Sequence, residues 1–158
     1  MVQGFLIYRI IFCIYNEKVC KCAIMSAMND EFMNIVLDIC NKDSRYHPDS
    51  YEFVMEALHF TQKKFKKEKH VTGPELLQGI KQVSMKNFGP LARTVLKYWG
   101  IKQTDDFGNI VFNLVEYRIL SKNEQDHYDS FKNAYDFEVV FDQGYRKQLA
   151  RRLKTMRF

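Results

Sequence analysis

His70-Val71-Thr72-Gly73-Pro74-Glu75-Leu76-Leu77, then Asn87-Phe88-Gly89-Pro90, then Trp99-Gly100-Ile101, and finally Thr104-Asp105-Asp106-Phe107-Gly108 punctuate residues 70–122. Thr72 with Glu75 has the spacing of a capping box, and Val71 and Leu76 flank it as a hydrophobic staple. Leu76, Leu77, Ile80 and Val83 follow at helical spacing. Gly89 predicts a left-handed helix stop, and Pro90 suits the first turn of the next helix. Leu91, Ala92, Val95, Leu96 and Trp99 form that helix's inner face, and Gly100 ends it. Thr104 is the expected N-cap of a third helix, with Asp105 and Asp106 favourable in its first turn. Phe107, Ile110, Val111, Leu114 and Val115 make its apolar stripe. About fifty residues therefore hold three helices, each with its own start and stop.

The same periodicity extends outward. Phe32, Ile35, Val36 and Ile39 predict a helix over about 30–40, ended by Asn41-Lys42-Asp43-Ser44. Pro48 opens another, in which Tyr51, Val54, Met55 and Leu58 repeat the spacing and Phe53, Ala57 and Phe60 widen the buried face. Downstream, Tyr135, Phe137, Val139 and Phe141 alternate with Asp136, Glu138, Val140 and Asp142, which predicts a short strand near 135–141. After Gly144, Tyr145, Leu149, Leu153 and Met156 share one side of a final helix. The expected fold is mainly α. It is a compact domain of five to six helices at 29–142, winged-helix-like, with a small β element and a basic helix or tail at 143–158.

Residues 1–28 are expected to be an N-terminal extension, either not native or poorly ordered. Phe5 to Tyr15 is apolar apart from Arg9, yet eleven residues fall short of the roughly 20 that a membrane helix needs. No basic n-region or small-residue cleavage site marks a signal peptide. Translation from Met1, Met25 or Met28 is left open.

The 158 residues, 46% of them apolar, are enough for one core. The net charge of +5 is local. Arg146, Lys147, Arg151, Arg152, Lys154 and Arg157 crowd the last thirteen residues without an acid, and Lys63, Lys64, Lys66, Lys67 and Lys69 form a second cluster around Glu68. Outside both segments, 13 basic residues face 18 acidic ones. Cys13, Cys20, Cys22 and Cys40 lack zinc or redox spacing and read as reduced thiols of a cytoplasmic protein.

From about Phe32 to Phe141 the chain resembles a family of uncharacterised bacterial proteins described chiefly from planctomycetes and verrucomicrobia. The resemblance lies in Arg45-Tyr46, Tyr51-Glu52-Phe53-Val54, 70–77, Phe88-Gly89-Pro90, Trp99-Gly100-Ile101, 105–112, Leu120-Ser121-Lys122 and Tyr135-Asp136-Phe137. It implies a shared fold. It brings no activity, because the family has no assigned function.

No nucleophile elbow, phosphate-cradling loop or H-E-x-x-H occurs. Asp105-Asp106 and Asp126/Asp129 lack the calcium-loop pattern. No metal or cofactor is expected, and an enzyme is the least supported reading, with His70, Trp99 and Asp106 as its candidate motif surface. The leading expectation is a non-catalytic interaction module whose protein partner and oligomeric state the residues leave open. The alternative is binding to RNA or DNA backbone through 63–69 and 146–157, where Phe65, Tyr145 and Phe158 could stack. Pro90–Trp99 and Thr104–Arg118 have the lengths of a helix-turn-helix. The second helix, however, carries Asp105, Asp106, Asn109, Asn113 and Glu116 on its polar side, which repels phosphate. A membrane-surface role for 145–158 is not favoured, since its apolar side is short.

Overall fold

The computed structural model describes residues 22–66, 70–122 and 127–155. The chain divides at Asn34/Ile35 into two units. Helix α1 (Cys22–Lys42) starts in the first, and everything else described here belongs to the second. Residues 22–28, expected as extension, are thus helical; residues 1–21 lie outside the described residues, as does the choice of start codon.

Local signals set the next elements. Pro48 heads α2 (Pro48–Phe65), whose N-cap His47 accepts the Asp49 N–H through Nδ1 at 3.3 Å. Lys66 ends it in the left-handed conformation. Thr72 caps α3 (Gly73–Phe88): the Glu75 carboxylate reaches back to accept the Thr72 N–H and hydroxyl, both at 2.9 Å. Gly89 (φ 52°, ψ −122°) leads into a 3-10 turn over Gly89–Leu91, with positive φ but outside the expected αL region. Helix α4 (Ala92–Tyr98) ends in a Schellman motif, with Gly100 N–H on Lys97 O and Ile101 N–H on Leu96 O. Helix α5 (Thr104–Glu116) repeats that motif with Arg118, at φ 60°, in the glycine position. Its N-cap is Gln103 rather than the expected Thr104, which is buried and accepts the Ala134 N–H through Oγ1 at 3.0 Å.

Helices α2 and α3 pack antiparallel. Phe53 meets Phe88 at one end, Asn87 donates to Glu56 at 3.0 Å, and Thr61 faces Gly79 further along. A Cβ on Gly79 would lie 1.8 Å from Thr61 Oγ1, so this crossing needs glycine. Trp99 joins Phe53 and Phe88 in one aromatic cluster, with centroids 5.4–5.6 Å apart. Leu96, Ile101, Ile110 and Leu114 are fully buried, each contributing on the order of 1.5–3 kcal/mol. Leu91, expected on the inner face, is 61% exposed because the 3-10 turn rotates it outward.

The 135–141 segment differs from expectation. Among the described residues no strand occurs; Glu138–Gln143 is a π-helical turn running straight into α6 (Gly144–Thr155). Alternation put Val139 inside and Val140 outside. The structure buries Phe137, Val140 and Phe141 and leaves Val139 51% exposed, which is helical spacing. Contact decides it: Phe137 packs on Phe107 at 6.0 Å and on Phe141 at 5.3 Å, and Tyr135 closes the group. Arg93 pins the turn to α4 through Asp142 at 2.6 Å. No helix among the described residues is long and apolar enough to cross a membrane.

Candidate functional site

Three places carry chemistry: a polar corner beside α5, a cleft on its other side, and the exposed helix α6.

The corner forms where the α1–α2 loop docks on the α4–α5 turn. His47 N–H donates to Trp99 O at 3.1 Å. Arg45 O lies so close to Gly100 that a Cβ there would sit 2.1 Å from it. This seating presents Tyr46 to α5. Its hydroxyl donates to Asp106 Oδ1 and accepts from Asn109 Nδ2, each at 2.8 Å. Asn109 Oδ1 in turn accepts from the Tyr128 hydroxyl at 3.0 Å. The other Asp106 oxygen accepts the Lys102 and Gln103 N–H groups at 2.8 and 3.0 Å. One turn on, Asn113 donates to Asp43 at 3.0 Å and to the Tyr51 hydroxyl at 3.1 Å. Arg45 forks onto Asp43 through Nε and an Nη, both at 2.8 Å, and lies over the Tyr46 ring.

The electrostatics follow from these contacts. The Arg45 guanidinium, aided by Asn113, holds the Asp43 carboxyl well below the usual carboxylate range against the opposing effect of burial. Burial, then the hydrogen bond to Asp106, pushes the Tyr46 phenol up. Burial pushes Tyr51 up to about 12. Cys40, a free thiol, donates weakly to Tyr46 O at 3.6 Å, and burial followed by the Asp43 charge raises it too. A raised thiol is a poor nucleophile at neutral pH. Each polar group named in the corner has a partner, and an open recess of about 370 Å³ bounded by Arg45, His47 and Tyr98 lies beside it.

The cleft lies on the opposite flank of α5, bounded by the second half of α2, the start of α3 and the chain after α5. Its volume is about 180 Å³. Leu76, Val111, Val115, Ile119 and Phe131 wall it, and His70, Lys122 and His127 stand around it.

Helix α6 buries no residue. Leu149 and Leu153 are 43% and 56% exposed, and Arg146, Lys147, Arg151, Arg152 and Lys154 are all exposed. Its start touches the body, where Tyr145 approaches Gly89.

The sequence-predicted site residues are not brought together. Trp99 is 5% exposed among Phe53 and Phe88, Asp106 is engaged by Tyr46, and His70 lines the cleft at the far end of the α2–α3 pair. No shared reaction centre joins them. His59, flanked in the sequence by Leu58 and Phe60, is exposed. The two basic segments also separate. Lys63, Lys64 and Lys66 stand where α2 ends and α3 begins, whereas α6 begins near the other end of α3, about 24 Å away for a helix of that length. Lys67, Lys69 and Arg157 lie outside the described residues. Among the described residues no cluster of His, Cys, Asp and Glu could hold a metal ion.

Tyr46, Tyr128 and the cleft walls escaped sequence reasoning as site residues. Tyr46 sits 60 residues from Asp106, and no local pattern pairs them. Comparison of the chain with protein-family models, curated proteins and solved structures finds no match.

Proposed function

We propose that this protein is a non-catalytic helical interaction module that engages nucleic-acid backbone through α6. The carrying observation is that α6 holds five exposed cations and no acid on a helix with no fully buried residue. A helix of twelve residues is marginal alone, since packing supplies most helical stability. Lys147 and Arg151 also stand at i, i+4, a destabilising like-charge spacing. An anionic partner provides what the body does not. At about 100° per residue the cations flank both edges of the Tyr145, Leu149, Leu153 stripe and cover much of the opposite side of α6. That distribution suits phosphates on both walls of a groove better than a single flat acidic surface.

Helix α5 is not the reader in this proposal. Asp106, Asn109 and Asn113 are engaged by Tyr46, Tyr128, Asp43 and Tyr51, and no strand among the described residues supplies a wing. A cytoplasmic location and kinship with the planctomycete and verrucomicrobial family belong to the same proposal, and neither adds an activity.

Fluorescence anisotropy with labelled duplex and single-stranded oligonucleotides tests it. Five phosphate contacts bound the slope of log K against log salt at about −4.5 for duplex and about −3.5 for single strands. Replacing the five cations of α6 by Gln abolishes binding and leaves the thermal midpoint unchanged, because all five are exposed. Absence of binding at low salt, or indifference to the Gln variant, overturns the proposal.

A further inference from the structure

We infer that the cleft beside α5 is a binding site for a small monocarboxylate with an apolar body. This is independent of the nucleic-acid proposal and uses none of its residues. Apolar side chains of a single domain are normally covered, yet Val111, Phe112, Val115, Ile119 and Leu120 are all only half-buried, and all line this one cavity. They are joined there by Leu58 and Leu76 from α2 and α3. A concave, mostly apolar pocket with a few convergent polar groups is the usual form of a small-ligand site.

Size and charge narrow the ligand. An apolar cavity of roughly 150 Å³ accommodates a benzene ring; this one, at about 180 Å³, has room for a ring or short alkyl chain and little more. Among the described residues that line it none is acidic. Lys122 is exposed and lines the cleft, with its ammonium 5.2 Å from the centroid of Phe112, itself a wall of the cleft. His127 lines the same cleft. An apolar body therefore enters among Leu76, Val111, Val115 and Phe131, and its carboxylate stays at the rim against Lys122.

The test is an amide-resolved NMR titration of the full chain with phenylacetate and hexanoate. Benzyl alcohol serves as the neutral control and benzylamine as the cationic one. Saturable shifts confined to 111–122, 127–131 and the start of α3 are expected for both acids. Lys122→Gln, at an exposed position, is expected to weaken the acids by roughly two- to fivefold and to leave benzyl alcohol unchanged. Val115→Trp, filling the cleft, is expected to remove binding of all three. A Val115→Trp chain that fails to fold leaves the Lys122→Gln comparison to decide. No saturable shift at about 10 mM of either acid, shifts centred elsewhere, benzylamine binding as tightly as phenylacetate, or indifference to Lys122→Gln each overturns the assignment.

Discussion

Gly100 shows how much one position can carry. Its φ of +85° lies where a Cβ is strained, and that Cβ would also stand 2.1 Å from Arg45 O. Relief is difficult because the neighbour is backbone. Gly100→Ala is expected to cost about 3 kcal/mol, read as a lower urea midpoint at unchanged m-value. Asp43 acts through charge instead. Its carboxyl is held below its ordinary range by Arg45, so its contribution is present above about pH 4 and is lost as pH falls through the lowered folded value. Asp43→Asn is expected to destabilise by about 1 kcal/mol at neutral pH, and the gap to the parent should close as the solution is acidified below pH ~4. A gap that stays constant down to the acid transition would contradict the pairing. Neither effect was legible locally. Gly100 ends α4, as its residue type predicts, but its closeness to Arg45 depends on a loop more than fifty residues earlier in the chain.

Helices α2, α3 and α5 were legible because their starts are written in local chemistry, Pro48, the Thr72–Glu75 pair and the acidic first turn Asp105-Asp106, although the α5 cap proved to be Gln103 rather than Thr104. The π-helical turn was not. Seven residues of alternating pattern fit a strand, and only contact with Phe107 selects the helical set Phe137, Val140 and Phe141. How closely two helices approach is likewise hidden from either helix alone. Gly79 sits against Thr61, whose hydroxyl donates to Ala57 O at 2.6 Å. Ala would gain about 1 kcal/mol of helix propensity over Gly, but overpacking costs about 1–3 kcal/mol. Net destabilisation is expected for Gly79→Ala, with Thr61→Ala rescuing part of it in the double variant. Strictly additive effects in that cycle would place the strain elsewhere.

At the scale of the whole domain, tyrosines make the fold sensitive to alkali. Tyr46, Tyr51 and Tyr135 are all pushed up, in each case chiefly by burial, Tyr51 to about 12. The protonated phenols favour the fold, so this stability is intact below the unfolded value near 10 and lost as pH rises through the folded values. The thermal midpoint is expected to fall between about pH 10 and 12, and Tyr46→Phe to make that fall shallower. Circular dichroism melts with phenolate absorbance check it; three tyrosines titrating with the exposed ones would refute it.

By itself the sequence determined the mainly helical class, most helix starts and stops, and the confinement of positive charge to two segments. Those properties reside in neighbours within a few residues of one another, through capping, backbone conformation and apolar periodicity. Only the tertiary structure decided that the polar side of α5 is engaged by Tyr46, Asp43 and Tyr128, that the two basic segments stand at opposite ends of α3, and that α5's other flank opens a cleft. Those depend on contacts between residues far apart in the chain, where packing and desolvation outweigh local preference.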